Sequence, residues 1–143
     1  MKIVDYPFIR AGEADPRPAL FVRLISPSDS RGQDSIGIID TGAYGYCVPA
    51  GYAEILGLDP SSGVERIVRT ANGKITGYEH NCGLKVWDSD EYLKGNKVLV
   101  CEVSEIPVLF LPNLTEILLG VSFLKEKVLT INYNRKVFSL RKP

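Results

Sequence analysis

Gly37-Ile38-Ile39-Asp40-Thr41-Gly42-Ala43, running on to Tyr46-Cys47-Val48-Pro49, is an apolar run that ends on an acid and then on small residues. An apolar strand closed in this way pins a carboxylate at its end, and the glycine permits a tight turn with backbone N–H groups near the carboxylate oxygens. The Thr41 hydroxyl has neighbouring backbone groups to bond to. Taken alone, the same residues also describe an ordinary β-turn in which Asp40 bonds the backbone two residues on.

A second stretch weighs between these readings. Ile117-Leu118-Leu119-Gly120, followed by Val121-Ser122-Phe123-Leu124, repeats the plan of an apolar strand, a glycine and a short helical run. In the first copy the turn leads to Pro49 and the apolar-spaced Tyr52, Ile55 and Leu56. The chain reads as two related halves, of which only the first carries an acid.

In this arrangement the chain resembles the retroviral-type aspartic peptidases, the retropepsins, and more closely their small bacterial single-domain relatives. The resemblance is carried by Asp40-Thr41-Gly42-Ala43, by Val48-Pro49 with Ala53-Glu54-Ile55-Leu56-Gly57-Leu58, by the Ala71-Asn72-Gly73 turn, and by Ile117-Leu118-Leu119-Gly120 with Phe123-Leu124. Each motif alone is weak; four in the family's order and spacing, over roughly residues 18 to 140, make a fairly specific match. It implies a mainly all-β fold, a closed, orthogonal β-barrel of the retropepsin type with two short helices.

Composition is consistent with this. The 143 residues suit a single domain able to bury a core, with 45% apolar content and 17 basic residues balancing 17 acidic ones. No run of Lys or Arg offers a nucleic-acid backbone its counter-charge, so a nucleic-acid partner is not expected. No secretory-type apolar segment and no eighteen-residue apolar stretch is present, so no membrane association is expected and the expected compartment is the cytoplasm. Cys47, Cys82 and Cys101 are an odd number at wide spacing, which fits neither a disulfide framework nor paired zinc ligands and reads as buried thiols. A Cys47–His80 nucleophile and base is disfavoured because no third group is indicated to orient it.

Residues 1–17, broken by Pro7 and Pro16, read as an extended arm, lying along a partner subunit or loosely on the surface; residues 18–143 form the domain. Ala19–Ile25 is the first firm strand, and Ser26 to Gln33 a loop. Pro49 to Leu56 is predicted helical, with Pro49 at its first position and Gly57 as a left-handed cap. Val64–Thr70 and Lys74–Tyr78 flank Asn72-Gly73, a strong hairpin signal. Cys82 to Asp88 and Lys97 to Val103 read as strands around an acidic turn, and that turn lacks the ligand alternation of a calcium loop. Ile106 to Leu111 is a further apolar run, Val121 to Lys127 is short and helical, and residues 128–133 and 136–140 form a closing strand pair.

The resemblance implies the chemistry. Two carboxylates about 3 Å apart share one proton, so one acts as base and the other as acid. One Asp-Thr-Gly per chain makes a homodimer necessary, with Asp40 opposite its own copy across a two-fold axis. Thr41 would bridge beneath the pair, Gly42 N–H would hold the carboxylate, and Ala43 would bind extended peptide. Ala71, Asn72 and Gly73 would form the flap that closes over the substrate. No metal or organic cofactor is required. Retroviral members often carry Asp after Asp-Thr-Gly-Ala and Arg after the second glycine, an ion-pair network supporting the dimer; this chain has Tyr44 and Val121. The leading expectation is an aspartic endopeptidase acting on peptide or protein substrates. The alternative is a catalytically silent homodimeric peptide-binding or assembly module of the same fold.

Overall fold

Short runs in which apolar residues alternate with polar ones bury one face of each strand, and most of this chain is built of such runs. The computed structural model describes residues 5–143. Its strands are β1 (Tyr6–Pro7), β2 (Ala19–Ile25), β3 (Gly32–Ile39), β4 (Tyr46–Pro49), β5 (Val64–Thr70), β6 (Gly73–Trp87), β7 (Leu99–Leu111), β8 (Ile117–Leu119), β9 (Val128–Asn132) and β10 (Val137–Arg141). Three short helices accompany them: α1 (Tyr52–Ile55), α2 (Ser89–Leu93) and α3 (Val121–Leu124).

Strands β2, β3, β8, β4, β7 and β6 are hydrogen-bonded in that order, and β6 returns to β2. This closes a six-stranded barrel, and β5 projects from β6 as the outer arm of a hairpin. The mainly β, closed-barrel fold expected from the sequence is the fold observed. Leu20, Val22 and Leu24 of β2, Leu84 and Val86 of β6, and Val108 and Phe110 of β7 point inward to one apolar core. A smaller cluster, Ile9, Ala19 and Ile38 with Phe21, Ile36 and Leu118 packed against it, covers part of the opposite face. Closure leaves the barrel strands no free edge.

The N-terminal segment is tied to the end of the chain. Tyr6 pairs with Phe138 in a separate sheet ordered β1, β10, β9, their rings 5.6 Å apart, and Tyr6 is fully buried. Burial pushes the Tyr6 phenol up to about 12, with the carboxylates of Asp88 and Asp90 acting in the same direction.

Three local expectations change. Pro49 ends β4, paired with Leu111, instead of opening a helix, and α1 starts only after Gly51. A proline is tolerated there because it has no N–H to leave unpaired, and Ala50 N–H takes the next bond, to the Leu111 carbonyl at 2.9 Å. The runs 74–78 and 82–88 belong to one long strand, β6, bent by a bulge between Cys82 and Leu84; β7 likewise unites 97–103 with 106–111. The acidic turn contains α2, a third helix where two were expected. Asp88 caps it by accepting from Glu91 N–H at 3.1 Å, and the Asp-x-x-Glu spacing is the sequence signal for such a start. Among the described residues no helix is long and apolar enough to cross a membrane.

Candidate active site

Asp40 lies where β3 ends beside β8. These strands run parallel, Ile39 opposite Leu119, and Asp40 N–H continues the ladder by donating to the Leu119 carbonyl at 3.0 Å. The turn then folds back on the carboxylate: Gly42 N–H donates to Asp40 Oδ1 at 2.9 Å and Ala43 N–H to the Asp40 carbonyl at 3.2 Å. That is the local turn a short acidic side chain forms. It engages one carboxylate oxygen and leaves Oδ2 without a bond among the described residues. Thr41 and Gly42 are exposed on the single chain.

The second glycine motif holds this turn from behind. Gly120 N–H donates to the Gly45 carbonyl at 3.1 Å, Val121 N–H to the Ala43 carbonyl at 2.9 Å, and Ser122 N–H to the Tyr44 carbonyl at 2.9 Å. Ser122 Oγ adds a bond to the same Tyr44 carbonyl at 3.2 Å. The repeat seen in the sequence is thus a physical clasp, in which the acid-free half fixes the backbone of the acid-bearing half. The backbone from Ala43 to Gly45 is held at each residue, and Tyr44 is 86% exposed and Val121 44% exposed.

A cleft of about 600 Å³ opens in front of Asp40. Its floor is a row of cross-strand neighbours, Leu118 beside Cys47, Cys47 beside Leu109, and Leu109 beside Glu79. These half-buried residues alternate with the inward-facing core residues of the same strands, so the cleft lies on the outer face of the barrel. The β5–β6 hairpin stands over it with Val68, Thr70 and Ile75. The candidate tip residues Ala71, Asn72 and Gly73 are exposed and do not line the cleft in this single chain. Gly73, at φ 116°, follows the Ala71-Asn72 turn as the first residue of β6, a positive dihedral that glycine takes easily, and Thr70 Oγ1 bonds its carbonyl at 2.9 Å.

Sequence reading missed most of this wall. Leu109, Leu111, Leu114, Leu118, Val68 and Ile75 come from separate elements that only barrel closure brings together. A sequence signal did exist for some: on β7 the exposed-side residues Pro107 and Leu109 alternate with buried Val108 and Phe110. His80 does not join Cys47; alternation turns its ring to the other face, edge-on to Phe110 at 5.2 Å. The three cysteines are free thiols, but only Cys82 is buried; Cys47 and Cys101, expected to be buried, are half-buried. Among the described residues no cluster of His, Cys, Asp and Glu is placed to hold a metal ion.

Cys47 reports on the site. Burial, and then the Asp40 carboxylate, push its thiol above the ordinary cysteine range. Removing the Asp40 charge lowers that pKa and raises the thiolate fraction, which is the reactive form. Asp40→Asn is therefore expected to speed alkylation of Cys47 by iodoacetamide about two- to fivefold at about pH 8, while Cys82, 1% exposed, stays slow. Peptide mapping by mass spectrometry checks this, and an unchanged Cys47 rate would separate the two groups electrostatically.

The comparisons agree with the geometry. The model of the family described as gag-polyprotein putative aspartyl protease matches residues 31–126, a span from before Asp40 to beyond Gly120. The fold is similar to the crystal structure of a retropepsin-like aspartic protease from Rickettsia conorii, at 19% identity and a TM-score of 0.63, covering 97% of this chain and 98% of that one. The simian foamy virus (mac) protease solution structure matches at 20% identity and a TM-score of 0.45 over 74% of this chain and 90% of that one. No curated protein sequence matches. Since the family model takes in well over half of the chain, across both halves of the clasp around Asp40, the chain belongs to the gag-polyprotein aspartyl protease family and is retropepsin-like.

Proposed function

We propose that the chain is an aspartic endopeptidase active as a homodimer. The observation that carries this reading is half of a dyad: β3 and β8 end side by side at the cleft, and only β3 delivers a carboxylate. The other acid in the cleft, Glu79, lies at the far end of the floor row, beyond β8, β4 and β7, and is bonded by Arg66. A second copy supplies the missing group if an isologous axis passes beside Asp40.

In such a pair one Asp40 carboxylate takes a proton from a water molecule as the water oxygen attacks the scissile carbonyl carbon. The protonated copy hydrogen-bonds the carbonyl oxygen. Collapse of the tetrahedral intermediate breaks the C–N bond as the amide nitrogen receives a proton, and the dyad returns to its shared-proton state. Gly42 N–H keeps Oδ1 in place, Thr41 bridges beneath the pair, and Ala43 with the flap residues Ala71, Asn72 and Gly73 receives the extended peptide. Tyr44 and Val121, exposed next to the turn, provide an apolar dimer contact where retroviral members carry an ion pair.

The test is cleavage of a mixed peptide library from about pH 4 to about pH 7, the range in which such dyads titrate. Specific activity is expected to rise with protein concentration in step with the dimer fraction seen by sizing. Cleavage with the same specific activity in a strictly monomeric sample would overturn the dimer, and a folded dimer that cuts nothing would overturn the peptidase.

A further inference from the structure

We propose that Glu79 is a specificity-determining residue of the cleft, an anionic subsite that selects peptides carrying Arg or Lys outside the scissile pair. This rests on the reading of the cleft as a peptide site and goes beyond it by naming the substrate class.

The cleft wall is apolar apart from a few groups; Glu79 is the one carboxylate in it besides Asp40, and Arg69 of the hairpin the one cationic side chain among the described lining residues. It is the last member of the floor row, directly opposite Leu109 on one side and Val64 on the other. Its side chain is only 28% exposed, and its single contact is Arg66 Nη2 to Oε1 at 3.4 Å, long for a hydrogen bond. Arg66 is 54% exposed and does not line the cleft. Oε2 has no partner among the described residues.

A carboxylate set among apolar groups with an unused oxygen discriminates sharply. A cation brought over it gains a charge-assisted bond in weakly screening surroundings, and arginine can engage both oxygens. An apolar side chain in its place would bury the carboxylate without a partner, and an acidic one would repel it. An extended peptide presents alternate side chains to one wall, so only one register position meets Glu79. Asp40 follows β3, and the order β3, β8, β4, β7, β6 separates it from Glu79 by four strand spacings, at most roughly 19 Å along the sheet. At about 3.3 Å per extended residue, the selected position lies within about six residues of the scissile bond.

A positional-scanning peptide library read with wild type, Glu79→Gln and Glu79→Lys tests this. Wild type should prefer Arg or Lys over neutral residues at one position by about tenfold or more in kcat/KM. Glu79→Gln, which keeps the size, should bring that ratio to within about twofold, and Glu79→Lys should reverse it in favour of Asp and Glu. Basic preference unaltered by either variant, or no charge preference in wild type, overturns the subsite. Should Glu79→Lys fail to fold, as judged by thermal unfolding, Glu79→Gln alone decides. Binding of the same peptides to uncut protein, followed by fluorescence anisotropy, separates the two claims. Charge-selective binding lost in Glu79→Gln without any cleavage overturns the peptidase and upholds the subsite; cleavage without charge selectivity does the reverse.

Discussion

Asp40→Asn is expected to lower peptide cleavage by about a thousandfold or more while leaving the fold and the dimer in place. The amide is close in size to the acid, and its oxygen can still accept the Gly42 N–H that Oδ1 accepts at 2.9 Å, so the turn keeps its anchor. What is lost is the ability to take and return a proton. In the proposed dimer the crowding of two acids across the axis is also relieved, so the variant should dimerise at least as well as wild type. This gives the substitution a second signature. Added in about ninefold excess to wild type under exchanging conditions, the variant should draw wild-type chains into mixed dimers with one working carboxylate and cut the activity to about a tenth. A single-chain enzyme would keep its full activity in the mixture. Measuring the residual rate against the mixing ratio, alongside sizing of each protein, distinguishes the cases. Equal cutting by Asp40→Asn and wild type would remove Asp40 from the chemistry altogether.

The residues that were legible in the sequence are those whose role is local. Asp40 and Gly42 lie two positions apart, and the bond between them follows from a short acid before a glycine. Ala71-Asn72-Gly73 makes its turn with only its own neighbours, and Gly57 closes α1 at φ 73° as a cap glycine does. Gly120 was legible as a repeat of the first motif, although nothing in the sequence says that its N–H meets the Gly45 carbonyl. What could not be read depends on closure. Two apolar runs separated by Ser104 and Glu105 look like two strands until Glu105, at φ 55°, is seen to carry β7 through the irregularity. Glu79 falls between two strands expected from the sequence, and its importance comes from Leu109 beside it, 30 positions later, and from Cys47 beyond Leu109, 32 positions earlier in the chain. The helix α2 was within reach of the sequence, and the acidity of the segment masked the cap at Asp88.

Gly120→Ala is expected to injure the site more than the size of one methyl group suggests. The dihedrals of Gly120, φ −90° and ψ −158°, are open to alanine, so the obstacle is purely spatial. A Cβ there would overlap the Ala43 carbonyl and come within 2.5 Å of the Gly45 oxygen. Both obstacles are backbone atoms of the turn that carries Asp40, and both carbonyls are acceptors in the clasp. Relief must therefore come from moving the turn, which breaks the bonds from Gly120 and Val121. Overpacking of this kind costs about 1–3 kcal/mol, and a shift of about 1 Å in a catalytic group costs about a hundredfold in rate. The variant should thus remain folded, with a lower melting temperature, and lose about a hundredfold in peptide cleavage. Gly51→Ala is the control, since nothing stands within 4 Å of its Cβ position; it should change stability by less than about 1 kcal/mol and leave turnover intact. Loss of activity without loss of stability would mean that the turn moves freely, and no loss of either would mean that the clasp does not set the position of Asp40. Either result would transfer the burden of positioning from the second glycine motif to the β3–β8 ladder, where the Leu119 carbonyl holds Asp40 N–H at 3.0 Å.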